Sequence, residues 1–237
     1  MSFENTRPII VFDLDGTLVD TAPDLLESLN HCLTVSGLQP ADRGALRRYV
    51  GHGGRTMIER AFAAQQTQIN DAELDDLVEV FRTHYSDHMP GESTFFPGVI
   101  EALDRFHAHG YQLAVCTNKY EALAKKLLTS MGEAPRFAVI CGADTFSWRK
   151  PDPRHLTETI TLAGGNRDRA IMVGDSRTDI DTAKAAGIPV VAVDFGYTNL
   201  PVQHYEPSRV ISHFNEFTLA MAEQLLESID TTVEVQH

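Results

Sequence analysis

Two aspartates that follow a short apolar run, Asp13 and Asp15, are the residues best placed to do chemistry in this chain. The run, residues 9–12, is entirely apolar and predicts a strand that is buried on both faces. Open parallel sheets bind ligands beyond the carboxyl ends of their strands, which is where both carboxylates would lie. Two acids so close together repel each other, and a divalent cation would relieve that repulsion.

Polar groups also follow a second predicted strand and occupy a later loop. Thr117 and Asn118 come after strand 111–116, where they could either cap the next helix or hold phosphate oxygens at its N-terminus. Lys150 is one of five lysines in an acidic chain and is followed by Pro151, which restricts the backbone there. This lysine could be solvated, or it could offset the charge of the two acids and of a substrate.

A third predicted strand, residues 170–173, ends in Gly174 and Asp175. The pattern Ser176-x-x-Asp179 fits a helix capping box, which would explain Asp179 structurally. Asp175 precedes the cap and has no such explanation. We therefore expect Asp175 to bind a metal ion, and Asp179 to steady the metal's ligands or Lys150 without binding the metal directly.

Composition limits the classes of function. The chain has 237 residues, 43% of them hydrophobic, and a formal net charge of −13 at pH 7. This acidity argues against a general binder of nucleic acid or of anionic membranes. Residues 1–8 lack the apolar region of a signal peptide, and no apolar run approaches the length of a membrane span. The three cysteines form no C-x-x-C pair, so we expect buried free thiols in a cytoplasmic protein.

The order of elements predicts an α/β protein with a Rossmann-like parallel sheet and helices on both of its faces. From residue 98 onward, strands 111–116, 137–140, 170–173 and 189–193 alternate with helices 98–109, 119–131, 153–163, 178–186 and 214–228. Between residues 21 and 92 only helical patterns occur: a helix starting at a Thr21 cap and ending at Gly37, then 41–50, 55–66 and 71–88. We expect a core of residues 1–20 and 93–237, a helical cap domain of residues 21–92, and a frayed tail from Asp230.

The motifs resemble, in order, the four motifs of the haloacid dehalogenase-like phosphohydrolases. They are Asp13-x-Asp15-x-Thr17, Thr117, Lys150–Pro151 and Gly174–Asp175-x-x-x-Asp179. One short motif is weak evidence of family membership, but four motifs in the family's order, at successive strand ends or loops, are specific evidence for it. The resemblance extends along nearly the whole chain, and the helical segment resembles the C1-type cap of the family.

This resemblance implies a metal-dependent phosphomonoesterase that works through an aspartyl-phosphate. Asp13 would attack phosphorus, and Asp15 would protonate the leaving alcohol and later deprotonate the attacking water. The implied cofactor is Mg²⁺, bound by Asp13, the backbone carbonyl of Asp15 and Asp175, with Asp179 beside it. The core residues that would contact the substrate are Thr17, Thr117, Asn118 and Lys150.

Differences between this chain and other members of the family exclude some of the family's reactions. Dehalogenases of the family lack the second acid of the first motif, so Asp15 argues against carbon–halogen chemistry. Phosphonate-cleaving relatives use a cap lysine, and residues 21–92 contain none. The chain resembles the phosphoglycolate phosphatases most, on the stretches 13–22, Val50–Gly51-x-Gly53 and Val193-x-x-Gly196–Tyr197. The expected substrate is therefore a small phosphorylated metabolite.

A glycine-rich stretch of the cap bears on the choice of substrate. Gly51, His52 and Arg55 would meet the non-reacting end of the substrate, and Arg55 would pair with a carboxylate if that substrate is phosphoglycolate. The same stretch could equally be a plain helix–helix turn with a solvated Arg55. The alternatives left open are a phosphatase for a sugar phosphate, nucleotide, pyrophosphate or natural-product intermediate, then a sugar phosphomutase, then a non-catalytic binding protein. We expect a monomer or a homodimer.

Overall fold

A six-stranded parallel sheet forms the centre of the computed structural model, which describes residues 7–42, 50, 53–198 and 200–234. In chain order the strands are β1 (Ile9–Phe12), β2 (Val19–Asp20), β3 (Thr94–Phe95), β4 (Gln112–Cys116), β5 (Val139–Cys141), β6 (Ala170–Gly174), β7 (Val190–Val193) and β8 (Arg209–Ile211). The helices are α1 (Ala22–Val35), α2 (Gly54–Ala64), α3 (Asp71–His88), α4 (Val99–Ala108), α5 (Glu121–Ser130), α6 (Pro153–Leu162), α7 (Arg177–Ala186) and α8 (Leu219–Glu234). The sheet order is β5-β4-β1-β6-β7-β8, and β2 pairs with β3 separately.

Helices cover both faces of the sheet, which confirms the predicted α/β architecture. Ile10 and Phe12 of β1 pack in a core shared with α4, α5 and α8, whereas Ile9 and Val11 pack with α6 and α7. All four side chains are completely buried because β1 also has a strand on each side. An unbroken apolar run is what such a central strand requires.

The register of the sheet brings the three polar strand ends to one edge. Phe12 lies opposite Val115 of β4 and Val173 of β6, so Asp13 begins the loop at the level where those strands end. The backbone N–H of Asp13 still donates to the Val173 carbonyl, at 2.9 Å. Residues just past the ends of β1, β4 and β6 therefore share one crevice.

Helices α1, α2 and α3 belong to one segment, here called the helical insert (residues 21–92), that leaves and re-enters the sheet domain through β2 and β3. The two connections pair with each other as an antiparallel ribbon, with Val19 opposite Phe95. The buried carboxylate of Asp24 on α1 fixes the return connection, because it accepts the backbone N–H groups of Glu92 (2.7 Å) and Ser93 (3.2 Å). The predicted helix at 41–50 lies largely outside the described residues, and residues 41–42 are not helical.

Several local predictions were wrong, each for a physical reason. β8 was not predicted, because a three-residue edge strand carries too little pattern to be recognised. The last helix begins at Leu219 instead of 214, after a short 3₁₀ turn, and its backbone is helical as far as Glu234. Thr21 precedes α1 but does not cap it, because its hydroxyl is bound to Asp15 instead.

Two other predictions concern the cysteines and the membrane. All three cysteines are free and buried, as expected. Among the described residues, no helix combines the length and the apolar character that crossing a membrane demands.

Candidate active site

Lys150 lies between two carboxylates at the centre of the crevice. Its ammonium is 2.8 Å from Asp13 Oδ1 and 2.6 Å from Asp179 Oδ1, and its side chain is almost fully buried. Burial alone would lower the pKa of Lys150, but these carboxylates outweigh it and raise the pKa above its usual value. Lys150 therefore stays charged, and it is a buried cation between two carboxylates of an acidic chain.

The backbone around Lys150 is fixed from two sides. Its N–H donates to His155 Nδ1 at 3.2 Å, and its carbonyl accepts from Asn118 Nδ2 at 3.0 Å. Asn118, which was expected to bind substrate, supports the Lys150 loop through its amide, and its contact with substrate stays a prediction. Asn118 does not cap α5, because that helix begins at Glu121.

Asp175 comes after β6 and faces Asp13 and Asp179, all three being buried. Its Oδ2 accepts the backbone N–H of Tyr197 at 2.7 Å. Burial, followed by the charges of Asp179 and Asp13, raises the pKa of Asp175 well above its usual value. Burial is also the main reason that the pKa of Asp13 rises to about 6, although Lys150 opposes the shift.

The donor set of this cluster fits a hard divalent cation. One ligand atom from each of Asp13, Asp175 and Asp179 lies within 4.8 Å of the others, and all are carboxylate oxygens. Asp179 already uses one oxygen for Lys150 and the other for Ser176, whose N–H (3.1 Å) and hydroxyl (2.6 Å) donate to it. Asp13 and Asp175 are thus better placed to bind a metal, whereas Asp179 is better placed to orient Lys150.

Gly16 and Gly196 make room for the Asp175 carboxylate. Gly16 has φ of +82°, and a Cβ there would lie 2.5 Å from Asp175 Oδ2. A Cβ on Gly196 would lie 2.3 Å from the same oxygen. The turn after Asp15 therefore needs glycine both for its left-handed backbone and for the close approach of Asp175.

Asp15 has a different set of partners from Asp13. Its Oδ1 accepts from the Thr21 hydroxyl at 2.7 Å, and its carboxylate pairs with Lys119 Nζ at 2.9 and 3.1 Å. The Lys119 ammonium also donates to the Tyr85 hydroxyl of α3 at 2.9 Å. Asp15, the acid proposed to protonate the leaving group, is thus paired with Lys119 in the loop after β4. Lys119 in turn connects it to the helical insert.

Sequence reasoning missed Lys119 and Tyr85. Lys119 was assigned to the first turn of a helix, yet a cation is unfavourable near a helix N-terminus. That mismatch was the available signal that this lysine has another role. Tyr85 shows only the apolar spacing of a packed helix, and nothing local in the sequence indicates that its hydroxyl reaches Lys119.

Tyr197 joins the acidic cluster to the base of the helical insert. Its backbone N–H binds Asp175, while its hydroxyl donates to Asp20 Oδ1 at 2.6 Å and accepts from the Ala22 N–H at 2.9 Å. Asp20 ends β2 and Ala22 begins α1. One residue therefore spans the distance between Asp175 in the crevice and the start of the insert.

The remaining substrate residues expected in the core lie near the same edge. Thr117 is buried, its N–H donates to the Cys141 carbonyl at 3.0 Å, and its hydroxyl accepts the Lys119 N–H at 3.2 Å. Thr17 is fully buried in the turn after Asp15, and within the described residues its hydroxyl makes no hydrogen bond.

The structure does not bring Arg55 to the crevice, contrary to our expectation. Its side chain is 44% exposed, and it pairs with Asp75, with Asp71 at 3.4 Å and with Glu59 at 3.8 Å, all on the helical insert. Acids on the adjacent turns of α2 and α3 compete for the guanidinium and hold it at the surface. Gly51 and His52 lie outside the described residues.

The crevice thus holds two aspartates that follow β1, two buried lysines paired with them, and a cluster of three buried aspartates. Residues 10–193 match the haloacid dehalogenase-like hydrolase family. The chain belongs to this family. Phosphatases of the haloacid dehalogenase-like family generally use Mg²⁺, and the buried aspartate cluster is compatible with that ion.

Similar proteins within the family agree on the type of reaction. The chain is 63% identical to the phosphoglycolate phosphatase of Mesorhizobium japonicum, over 94% of this chain and 98% of that protein. It is 50% identical to the phosphoglycolate phosphatase of Agrobacterium fabrum, over 95% and 97% of the two chains. The crystal structure of a predicted phosphoglycolate phosphatase from Haemophilus somnus is 29% identical, with a TM-score of 0.82 over 89% of this chain and 96% of that one. This member of the family is therefore a phosphatase, a phosphoric monoester hydrolase.

Proposed function

We propose that the protein hydrolyses phosphoglycolate to glycolate and inorganic phosphate, with Mg²⁺ as its cofactor. The observation that carries this substrate is the high identity to the Mesorhizobium phosphoglycolate phosphatase along almost the full length of both chains. The complete set of charged groups in the crevice supports catalysis by this chain, because neither carboxylate of the first motif nor Lys150 is missing.

In the first step the Asp13 carboxylate attacks phosphorus, and the bond from phosphorus to the glycolate oxygen breaks. Asp15, protonated, gives its proton to that departing oxygen, so glycolate leaves as an alcohol. In the second step Asp15, now ionised, takes a proton from water as the water oxygen attacks the phosphorus of the aspartyl-phosphate. Inorganic phosphate leaves and Asp13 is regenerated.

Lys150 would stabilise the charge of the phosphoryl group while it is transferred. Its contact with Asp13 places the ammonium beside the attacking oxygen, and its contact with Asp179 fixes the direction of the side chain. The buried Thr117 at the end of β4 would contribute a hydroxyl to the phosphate oxygens, and Thr17 is a second candidate.

Asp13 and Asp175 would hold the Mg²⁺ ion, with the Asp15 carbonyl as a further ligand. Before substrate binds, with all four carboxylates ionised (Asp13, Asp15, Asp175 and Asp179), the two ammonium groups (Lys119 and Lys150) leave two negative charges, which a divalent cation would balance. When bound, the ion would neutralise charge on the phosphate and so let the anionic Asp13 approach it.

The helical insert would act as the cap over this crevice. It connects to the core through the β2–β3 ribbon, and its Tyr85 reaches the Lys119–Asp15 pair. Closing the insert over the site would exclude water while the phosphoryl group is transferred.

Steady-state kinetics on a panel of phosphate esters test this function. We expect phosphoglycolate to give the highest kcat/KM, with activity that disappears on chelation and returns with Mg²⁺. Asp13→Asn is the control, and it should release no phosphate from any ester. A sugar phosphate or nucleotide with a kcat/KM ten times that of phosphoglycolate would contradict the proposed substrate.

A further inference from the structure

The Lys119 side chain lies on the side of the crevice where the leaving group would depart. Its ammonium contacts both oxygens of Asp15, and its side chain is only 5% exposed. Lys150, by contrast, faces Asp13 and Asp179, on the side of the nucleophile. In the proposed mechanism, Lys150 therefore lies beside the nucleophile and Lys119 beside the acid that protonates the leaving group.

The helical insert holds Lys119 in this position. The Tyr85 hydroxyl accepts from its ammonium, and the ammonium lies 4.3 Å from the centre of the Tyr85 ring. Tyr85 is 1% exposed, so the contact is shielded from water. An ammonium has three N–H donors, and a desolvated one attracts anions far more strongly than one at the surface.

The geometry of the substrate follows from the role of Asp15. That carboxyl must reach the ester oxygen of the leaving group, and in phosphoglycolate a single methylene separates this oxygen from the carboxylate. A cation in direct contact with Asp15 is therefore within reach of the substrate's carboxylate. Arg55, the cation expected in this role, is occupied by acids on the surface of the insert.

We propose that Lys119, held by Tyr85, is the residue that binds the carboxylate of the leaving group and so selects phosphoglycolate among phosphate esters. This proposal rests on the proposed function. The incoming carboxylate shares the ammonium with Asp15 or displaces it, which leaves the Asp15 carboxyl to face the ester oxygen. A substrate without a carboxylate leaves Lys119 paired with Asp15 and loses this contact.

The test compares phosphoglycolate with ethyl phosphate, which has a methyl group in place of the carboxylate. We expect Lys119→Met to lower kcat/KM for phosphoglycolate about ten- to a hundredfold more than for ethyl phosphate, as the loss of one charge-assisted contact requires. Lys119→Arg keeps the charge and should retain most of the preference. Lys126→Met is the matched control, because Lys126 on α5 also contacts the insert, at Ser86 Oγ (2.9 Å), but is exposed.

Tyr85→Phe gives a second measurement that does not remove a buried charge. It deletes only the hydroxyl that holds Lys119, so we expect the preference for phosphoglycolate to fall about two- to tenfold. Equal losses for the two esters in both Lys119→Met and Tyr85→Phe would overturn the proposal and leave Lys119 as a support for Asp15 alone. A wild-type enzyme without any preference for phosphoglycolate would instead refute the proposed function, whatever Lys119 does.

Discussion

Acid should destabilise the folded protein through His155, which is completely buried on α6. Its Nδ1 accepts the backbone N–H of Lys150, so the ring supports the loop that carries the active-site cation. Burial, and then the nearby charge of Lys150, lower the pKa of His155 from 6.5 to about 4. Between these two values the unfolded chain binds a proton that the folded chain does not, so stability falls as the pH falls.

The size of the effect follows from the two pKa values. A full shift from 6.5 to about 4 corresponds to roughly 3 kcal/mol, and between pH 7.5 and pH 5 the loss is about 2 kcal/mol. The other buried acids with raised pKa values, Asp13 and Asp175, act in the opposite direction. Their contribution to the pH dependence cancels when the wild type is compared with a variant that keeps both aspartates.

His155→Asn provides that comparison. The asparagine Oδ1 can accept the same Lys150 N–H, but the side chain does not titrate, while Asp13 and Asp175 are unchanged. Equilibrium urea unfolding of both proteins at pH 7.5 and pH 5 gives the difference in the free energy of unfolding. We expect the advantage of the wild type to shrink by about 2 kcal/mol at pH 5. An advantage that is the same at both pH values would show that His155 does not destabilise the protein in acid.

Three further predictions test other parts of the site. Arg55→Ala should keep the ratio of kcat/KM for phosphoglycolate to kcat/KM for ethyl phosphate within about twofold of the wild-type ratio, because Arg55 contacts acids of the insert. A selective tenfold loss for phosphoglycolate would indicate that Arg55 contacts the substrate. Gly16→Ala should cost about 1–2 kcal/mol in urea unfolding for the left-handed backbone, and it should lower kcat because the new Cβ displaces Asp175; wild-type kcat would contradict this. Added Mg²⁺ should raise the Tm of the wild type but hardly that of Asp175→Ala in calorimetry; an equal rise in both would mean that Asp175 does not bind the ion.

The core of the fold could be predicted because its signals are local. The buried run before Asp13 and the alternation of strands and helices after residue 98 follow directly from side-chain pattern. The β2–β3 ribbon and β8 could not be predicted in the same way. Strands of two or three residues carry almost no periodicity, and they form because the rest of the fold brings their partners together.

In the site, too, residues with local sequence signals were predicted, whereas contacts between distant parts of the chain were not. Asp13, Lys150, Asp175 and Asp179 were found from strand ends and motif order, and the structure brings them into one cluster. Lys119 and its partner Tyr85 were missed because their contact joins positions far apart in the chain, on the core and on the insert. Arg55 was assigned from its residue type and its glycine-rich neighbourhood, but a sequence does not show which acids compete for an exposed guanidinium.

In the proposed mechanism the phosphoryl group passes through Asp13, and a rapid acid quench of the working enzyme can trap it there. Enzyme mixed with phosphoglycolate and Mg²⁺ is quenched at successive times, reduced with borohydride and digested, and the peptide that contains Asp13 is analysed by mass spectrometry. Borohydride converts an aspartyl-phosphate to homoserine, so we expect homoserine at position 13 that forms with substrate and is absent in Asp13→Asn. Modification at another residue, or turnover at every quench time with an unmodified Asp13, would contradict it.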